Sequence, residues 1–181
     1  MSDRVLILDR DGVINEDSEH FIKCLDEWIP LPGSLDAIAR FCHAGYRVAV
    51  ATNQSGLARG LLTPTDLDLM HRTLRDLLAA RGGRIEMIVF CPHGPDEGCR
   101  CRKPQPGMLE EIGRRLGIEL LGVPFVGDSL GDILAARAVG ARPLMVRTGK
   151  GERTLATDSP ALAGVLVYPD LAAVADALLH A

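Results

Sequence analysis

An α/β protein with a doubly wound parallel sheet is the fold that this 181-residue chain predicts. Three observations carry the expectation. Short apolar runs alternate with amphipathic helical stretches along the chain, the order that builds strand, helix and strand units with right-handed crossovers. The AVILMFWYC residues make up 47% of the chain but aromatics only 4%, so the core must be assembled from Leu, Val, Ile and Ala, as in buried parallel strands covered by helices. Domains run to roughly 100 to 200 residues. Residues 1–181 therefore read as a single domain.

The elements follow in order. VLIL at 5–8 opens the sheet. A helix is expected over 34–44, where Leu35, Ile38 and Phe41 recur on one face and Gly45 stops it. VAVAT at 48–52 is the second strand. Thr63 as N-cap, Pro64 at the first helical position and Asp66 in the first turn then start a helix reaching about residue 81, ended by Gly82 and Gly83. IEMIVF at 85–90 is the third strand, followed by a Cys-, Pro- and Gly-rich loop and a helix over 107–116 that Gly117 ends. PFVGD at 124–128, a helix over 131–139, PLMV at 143–146, a short apolar run at 165–167 and a helix from Asp170 complete the pattern.

Twenty Lys and Arg against 24 Asp and Glu leave a net charge of -4, which provides no basic field to hold nucleic acid. No apolar run approaches the ~18 residues of a membrane span, and no charged-then-apolar leader opens the chain. A cytoplasmic monomer with no nucleic-acid or membrane partner is the expectation. In that compartment the five Cys should not be disulfides, and Cys24 and Cys42 read as inert. His43, His71 and His180 fall on predicted helices and read as surface or packing residues.

Open α/β sheets bind ligands at the carboxyl ends of their strands, so the residues after each apolar run come first. Strand one runs into DRDG, which places Asp9 and Asp11 where the chain leaves the sheet, with Gly12 permitting the turn. The pattern also suits a solvated turn. Asp128 adds a third strand-end acid, in GDSLGD, and a few hard oxygens with water and phosphate are what magnesium takes. Thr52 ends strand two, and Asn53, Gln54 and Ser55 offer hydroxyl, amide and N–H donors for an oxyanion. Lys103, in CRKPQPG, can bring one fixed positive charge. Acids for a cation, donors for an oxyanion and a lysine together describe phosphoryl transfer. Asp132, one turn after Asp128, reads equally as a supporting acid or as a helix N-terminal one.

The loop before Lys103 carries Cys91, His93, Cys99 and Cys101, four soft or borderline ligands, the number and type of a closed structural zinc site. With all four positions filled by protein, zinc would fix the loop from which Arg102 and Lys103 enter the site.

These residues resemble the haloacid dehalogenase-like phosphatases: DRDGV for motif I, ATNQSG for motif II, Lys103 for motif III and GDSLGD for motif IV. More narrowly, TNQSGLARG, CPH with CRCRKPQPGML, and VRTGKG are similar to the D-glycero-D-manno-heptose 1,7-bisphosphate phosphatase family. The resemblance implies a Rossmann-like haloacid dehalogenase fold and hydrolysis of the C7 phosphate of a phosphorylated sugar for a heptose-containing glycan such as the lipopolysaccharide core. It implies Asp9 as nucleophile, Asp11 as general acid and base, and magnesium on Asp9, Asp128 and the Asp11 carbonyl. It also implies Thr52 and Lys103 on the phosphoryl group, Arg102 on the substrate, and zinc in the cysteine loop. Histidinol-phosphate phosphatase, polynucleotide 3'-phosphatase and a catalytically silent zinc-stabilised domain are the competing expectations.

Only 42 residues separate Asp9 from Thr52, too few for a cap domain once a helix and a strand are subtracted. Residues 12–30 can form no more than a flap. Substrate choice then falls to this flap, where the resemblance implies contacts from Asp17, Ser18, Glu19 and His20, and to the 53–59 loop, where Arg59 could answer a second phosphate. Ser129 stands where some relatives have a Lys.

Overall fold

The computed structural model describes residues 4–180, so residues 1–3 and 181 of the expected domain lie outside the described residues. Six strands, β1 (Val5–Leu8), β2 (Arg47–Asn53), β3 (Met87–Cys91), β4 (Pro124–Gly127), β5 (Arg142–Val146) and β6 (Leu166–Tyr168), form one sheet in the order β3-β2-β1-β4-β5-β6. Every pairing is parallel. The helices are α1 (Ser34–His43), α2 (Pro64–Ala79), α3 (Gly107–Leu116), α4 (Leu130–Ala138), α5 (Gly151–Leu155) and α6 (Leu171–Leu179).

Strand alternation divides the core. Leu6, Leu8, Val48, Val50 and Val126 join the apolar faces of α1, α2 and α6, whereas Val5, Ile7, Ala49, Ala51 and Phe125 join α3 and α4. A strand buried on both faces reads as an unbroken apolar run, which is why VLIL and VAVA were legible. The α2 start carries the expected Thr63 cap, and Asp66 answers it in a capping box. Gly117 ends α3 at φ 67°, a left-handed conformation that a Cβ would disfavour.

The strand order reverses between β1 and β4, and their carboxyl ends open a crevice at the switch point. Asp9 follows β1 and Asp128 follows β4. Between β1 and α1 there is no inserted domain. Residues 13–33 form a flap anchored by buried Val13, Ile14, Ile22 and Trp28, with a single 3-10 turn at Leu25–Glu27.

Three elements were not expected: α5 and the 3-10 turns at Leu25–Glu27 and Pro160–Leu162. The third strand begins at Met87 rather than at 85, because its ladder with β2 starts at the Ala49–Met87 pair. No helix among the described residues is long and apolar enough to cross a membrane.

Candidate active site

The crevice is built by close backbone approach. A Cβ on Gly12 would sit 2.0 Å from Asp128 Oδ2, and one on Gly149 2.2 Å from the same oxygen, so the turns after β1 and β5 close on this carboxylate only as glycines. The Lys150 N–H donates to Asp128 Oδ2 at 2.7 Å, and Thr154 Oγ1 donates to the Asp128 carbonyl at 2.9 Å.

Lys103 is buried at the centre. Its ammonium lies 2.8 Å from Asp9 Oδ1 and 2.6 Å from Asp132 Oδ1 and donates to the Ala51 carbonyl at 2.8 Å, which employs all three of its N–H groups. Burial pushes the lysine down, but the charges of Asp132 and Asp9 more than reverse this and leave it well above its ordinary value. Asp9 is pushed well up, first by burial and then by Asp132, against the opposing pull of Lys103. Burial and then Asp132 likewise push Asp128 to about 7, although the Lys150 N–H resists.

The carboxylate oxygens of Asp9, Asp128 and Asp132 lie within 4.8 Å of one another, a crowding of acids that a cation would relieve. Asp132 is already committed. Its Oδ2 accepts from the Ser129 hydroxyl at 2.6 Å and from the Ser129 and Asp128 N–H groups at 3.0 and 3.2 Å, while Oδ1 faces Lys103. It is both a helix cap and the lysine's second partner, which unites the two readings open from the sequence. Asp9 and Asp128 are thus the acids left for a metal.

Asp11 is held by other hands. Arg10 Nε and Nη2 donate to its Oδ1 at 2.9 and 2.8 Å, Asn15 Nδ2 donates to the same oxygen at 2.9 Å, and Gln54 Nε2 donates to Oδ2 at 2.8 Å. Burial alone would raise this acid, yet Arg10, Asn15 and Gln54 together bring it below its ordinary value.

The motif II residues divide their labour. Thr52 is buried, and its hydroxyl accepts from Gln54 Nε2 at 2.9 Å. Asn53 clasps the Lys103 main chain from both sides, donating to its carbonyl at 3.1 Å and accepting its N–H at 3.0 Å. The side-chain amides of Asn53 and Gln54 therefore orient other site residues, while Ser55 lies at the cavity wall.

A cavity of about 420 Å³ opens above these groups. Asp17, Ser18, Glu19, Arg59 and Arg102 line it, as the sequence suggested, together with Ser129. Arg59 stacks 5.5 Å from the Phe21 ring centre, and Arg102 donates to the His93 carbonyl at 3.3 Å. His20 does not line this cavity; the chain turns at Ser18, whose hydroxyl oxygen accepts the His20 N–H at 3.1 Å. Four wall residues were missed, the apolar Phe21 and Ile22 and the cations Lys150 and Arg153, which pair with Asp17 at 3.0 Å and Glu19 at 2.7 Å and tie the flap to α5. The signal was the Gly-Lys-Gly run at 149–151: a Cβ on Gly151 would lie 2.0 Å from the Val146 carbonyl oxygen.

The loop after β3 gathers Cys91, His93, Cys99 and Cys101, whose ligand atoms also lie within 4.8 Å of one another. The Cys91 sulfur is 3.6 Å from that of Cys99 and 3.1 Å from that of Cys101, all three cysteines being free, and His93 Nδ1 is 3.2 Å from the Cys101 sulfur. Such spacings suit four corners of a tetrahedron around an ion with bonds of about 2.3 Å to sulfur. Burial, and then Cys101, push the Cys91 thiol to about 12, a cost that a cation would remove. The donor set and its packing fit zinc.

A family model described as HAD-hydrolase-like matches residues 100–174. The chain is 60% identical over 180 residues, 99% of its length and 100% of the other's, to a D-glycero-beta-D-manno-heptose-1,7-bisphosphate 7-phosphatase of Pseudomonas aeruginosa. It belongs to this family of heptose-bisphosphate phosphatases. The crystal structure of the D,D-heptose 1,7-bisphosphate phosphatase of Bordetella bronchiseptica, described as complexed with magnesium and phosphate, superposes with a TM-score of 0.95 at 53% identity over 98% of both chains. The Burkholderia thailandensis D,D-heptose 1,7-bisphosphate phosphatase follows at 0.78 and 44% identity, covering 99% of this chain and 100% of its own. As a member of the family the chain is a haloacid dehalogenase-like phosphatase without a cap domain.

Proposed function

We propose that the chain acts as a single-domain, magnesium-dependent phosphatase that removes the C7 phosphate of D-glycero-β-D-manno-heptose 1,7-bisphosphate and leaves the 1-phosphate in place. The observation that carries this reading is the 60% identity, along the whole of both chains, to a relative named for that reaction.

The reaction divides into two displacements. Both side-chain contacts of the Asp9 carboxylate fall on Oδ1, from the Arg10 N–H at 2.7 Å and from Lys103. Its other oxygen attacks phosphorus, the bond from phosphorus to the C7 oxygen breaks, and Asp11 protonates that oxygen, leaving an aspartyl phosphate. Asp11 then takes a proton from water, which attacks phosphorus and frees Asp9 and inorganic phosphate. Magnesium held by Asp9, Asp128 and the Asp11 carbonyl supplies charge neutralisation for the phosphoryl oxygens. Lys103 and Thr52 share that task, and Lys103 exchanges one of its present acceptors for the phosphoryl group. The four bonds on Asp11 keep it ionised, as the proton acceptor of the second step must be, at some cost in basicity. For the first step, the bound phosphate adds negative charge beside Asp11 and shifts it toward the acid form. Uncatalysed phosphate-monoester hydrolysis leaves up to ~10^21-fold to supply, so these effects must combine.

The C1 phosphate serves as a remote anchor whose binding energy orients the reacting end, with Arg102 and Arg59 as its cations. Cys91, His93, Cys99 and Cys101 would hold zinc, which would fix the loop that carries Arg102 and Lys103. The test is phosphate release, with magnesium, from both heptose bisphosphate anomers, histidinol phosphate and a 3'-phosphorylated oligonucleotide. The expected order places the β anomer first; preference for histidinol phosphate or the oligonucleotide overturns the substrate.

A further inference from the structure

We infer that His71, a residue of α2, is a positioning residue for Asp11 and acts by holding the Arg10 guanidinium against it. The inference rests on the reading of Asp11 as acid and base.

Arg10 has 0% exposure, although it stands between two acids at the end of a strand. A buried guanidinium presents five N–H donors and a permanent charge, and it must find acceptors. Two donors go to Asp11 Oδ1, and Nη1 lies 3.3 Å from His71 Nε2. That contact fixes the plane of the fork, and the plane decides whether both remaining nitrogens reach one carboxylate oxygen.

The choice of imidazole matters electrostatically. Burial, reinforced by Arg10 and Arg75 and opposed by Asp11 and Asp68, brings His71 down to about 3, so the ring is neutral at working pH and its Nε2 is an acceptor with the proton on Nδ1. A carboxylate in that place would satisfy Arg10 equally well but would divide its charge between two anions. A neutral acceptor leaves the whole charge directed at Asp11. His71 is itself 6% exposed and its ring lies 6.2 Å from that of Phe90, so it has little freedom to leave.

The test compares kcat/KM for the heptose bisphosphate, whose alkoxide needs a proton to leave, with that for p-nitrophenyl phosphate, whose leaving group does not. General acid catalysis is worth about 10²- to 10⁴-fold, so partial misplacement of Asp11 by His71→Asn should cost about tenfold on the sugar and under about twofold on the activated ester. His71→Gln, whose longer side chain can return an acceptor to the Nε2 place, should recover the sugar rate to within about twofold. Equal losses on both esters, or a Gln variant no better than the Asn one, would overturn the inference. Asp11→Asn is measured alongside. If it too loses both esters equally, the reading of Asp11 fails and His71 falls with it; if Asp11→Asn discriminates and His71→Asn does not, only His71 falls. Nitrogen-15 NMR of the wild-type protein needs no variant and should show His71 neutral with Nε2 unprotonated. A proton on Nε2 would contradict the arrangement outright.

Discussion

The crevice between β1 and β4 and the mouth above it are both lined by ion pairs, but they are made differently. In the crevice, Lys103 and Asp132 have side chains 3% and 1% exposed and meet at 2.6 Å. At the mouth, Arg153 and Glu19 are 61% and 75% exposed, and Lys150 faces a more sheltered Asp17. Breaking one partner of a buried pair costs about 3–5 kcal/mol, whereas an exposed pair is worth about 0–1 kcal/mol. The difference separates two tasks. Chemistry needs groups that do not move, and substrate entry needs contacts that are cheap to exchange for a sugar or a phosphate.

The largest test of that contrast is the cysteine loop, which joins the two regions through Arg102 and Lys103. Elemental analysis should find about one zinc per chain, and Cys99→Ser should release it and cost on the order of 5 kcal/mol or more. A zinc-free protein of full activity and stability would break the link. Next, Lys103→Met should destabilise by about 3–5 kcal/mol near neutral pH in urea unfolding, because it leaves Asp9 and Asp132 unpaired. Its deficit should shrink as the pH is lowered and Asp9, pushed up by burial, takes up a proton; a deficit independent of pH would argue against crowding as the cause.

Asp128→Asn should act in the opposite sense. Asp128 titrates near 7 in the fold and near 4 when unfolded, so the folded chain binds more protons in between and stability falls as pH rises through that window. Removing the charge should stabilise the metal-free chain at pH 8 by about 1–3 kcal/mol, net of the weakened Lys150 bond, and should abolish the gain in Tm that magnesium gives the parent. Loss of stability at pH 8 would contradict it. The smallest effect belongs to the mouth: Glu19→Gln should leave Tm within about 2 °C of the parent, and any change should appear in KM for the bisphosphate.

What the sequence disclosed follows the same division. Asp9, Thr52, Cys91 and Asp128 were legible because buried strands are unbroken apolar runs, and whatever ends such a run stands at the crevice. The mouth was only partly legible. Helix α5 spans five residues, Gly151–Leu155, too short to show a helical period, so Lys150 at its N-cap and Arg153 within it were passed over. His20 shares the flap with Asp17 and Glu19, but a turn at Ser18 places it outside the cavity lining, which no local pattern shows. Arg10 and His71 show a different limit. Charge between two acids suggests solvent, and a helical histidine suggests surface or packing. Their pairing depends on α2 meeting the β1 turn, a contact spanning 61 positions that no local pattern encodes.

In the proposed reaction Asp9 receives the phosphoryl group and Asp11 is needed to release it. Asp11→Asn mixed with p-nitrophenyl phosphate isolates the two, since the activated ester needs little acid but the second step needs the base. The expected result is a burst of p-nitrophenol close to one per chain, followed by slow turnover, with mass spectrometry of the acid-quenched, digested protein placing a phosphoryl group on Asp9. Steady turnover with no burst and no phosphoryl group on Asp9, or a phosphoryl group on another residue, would contradict it.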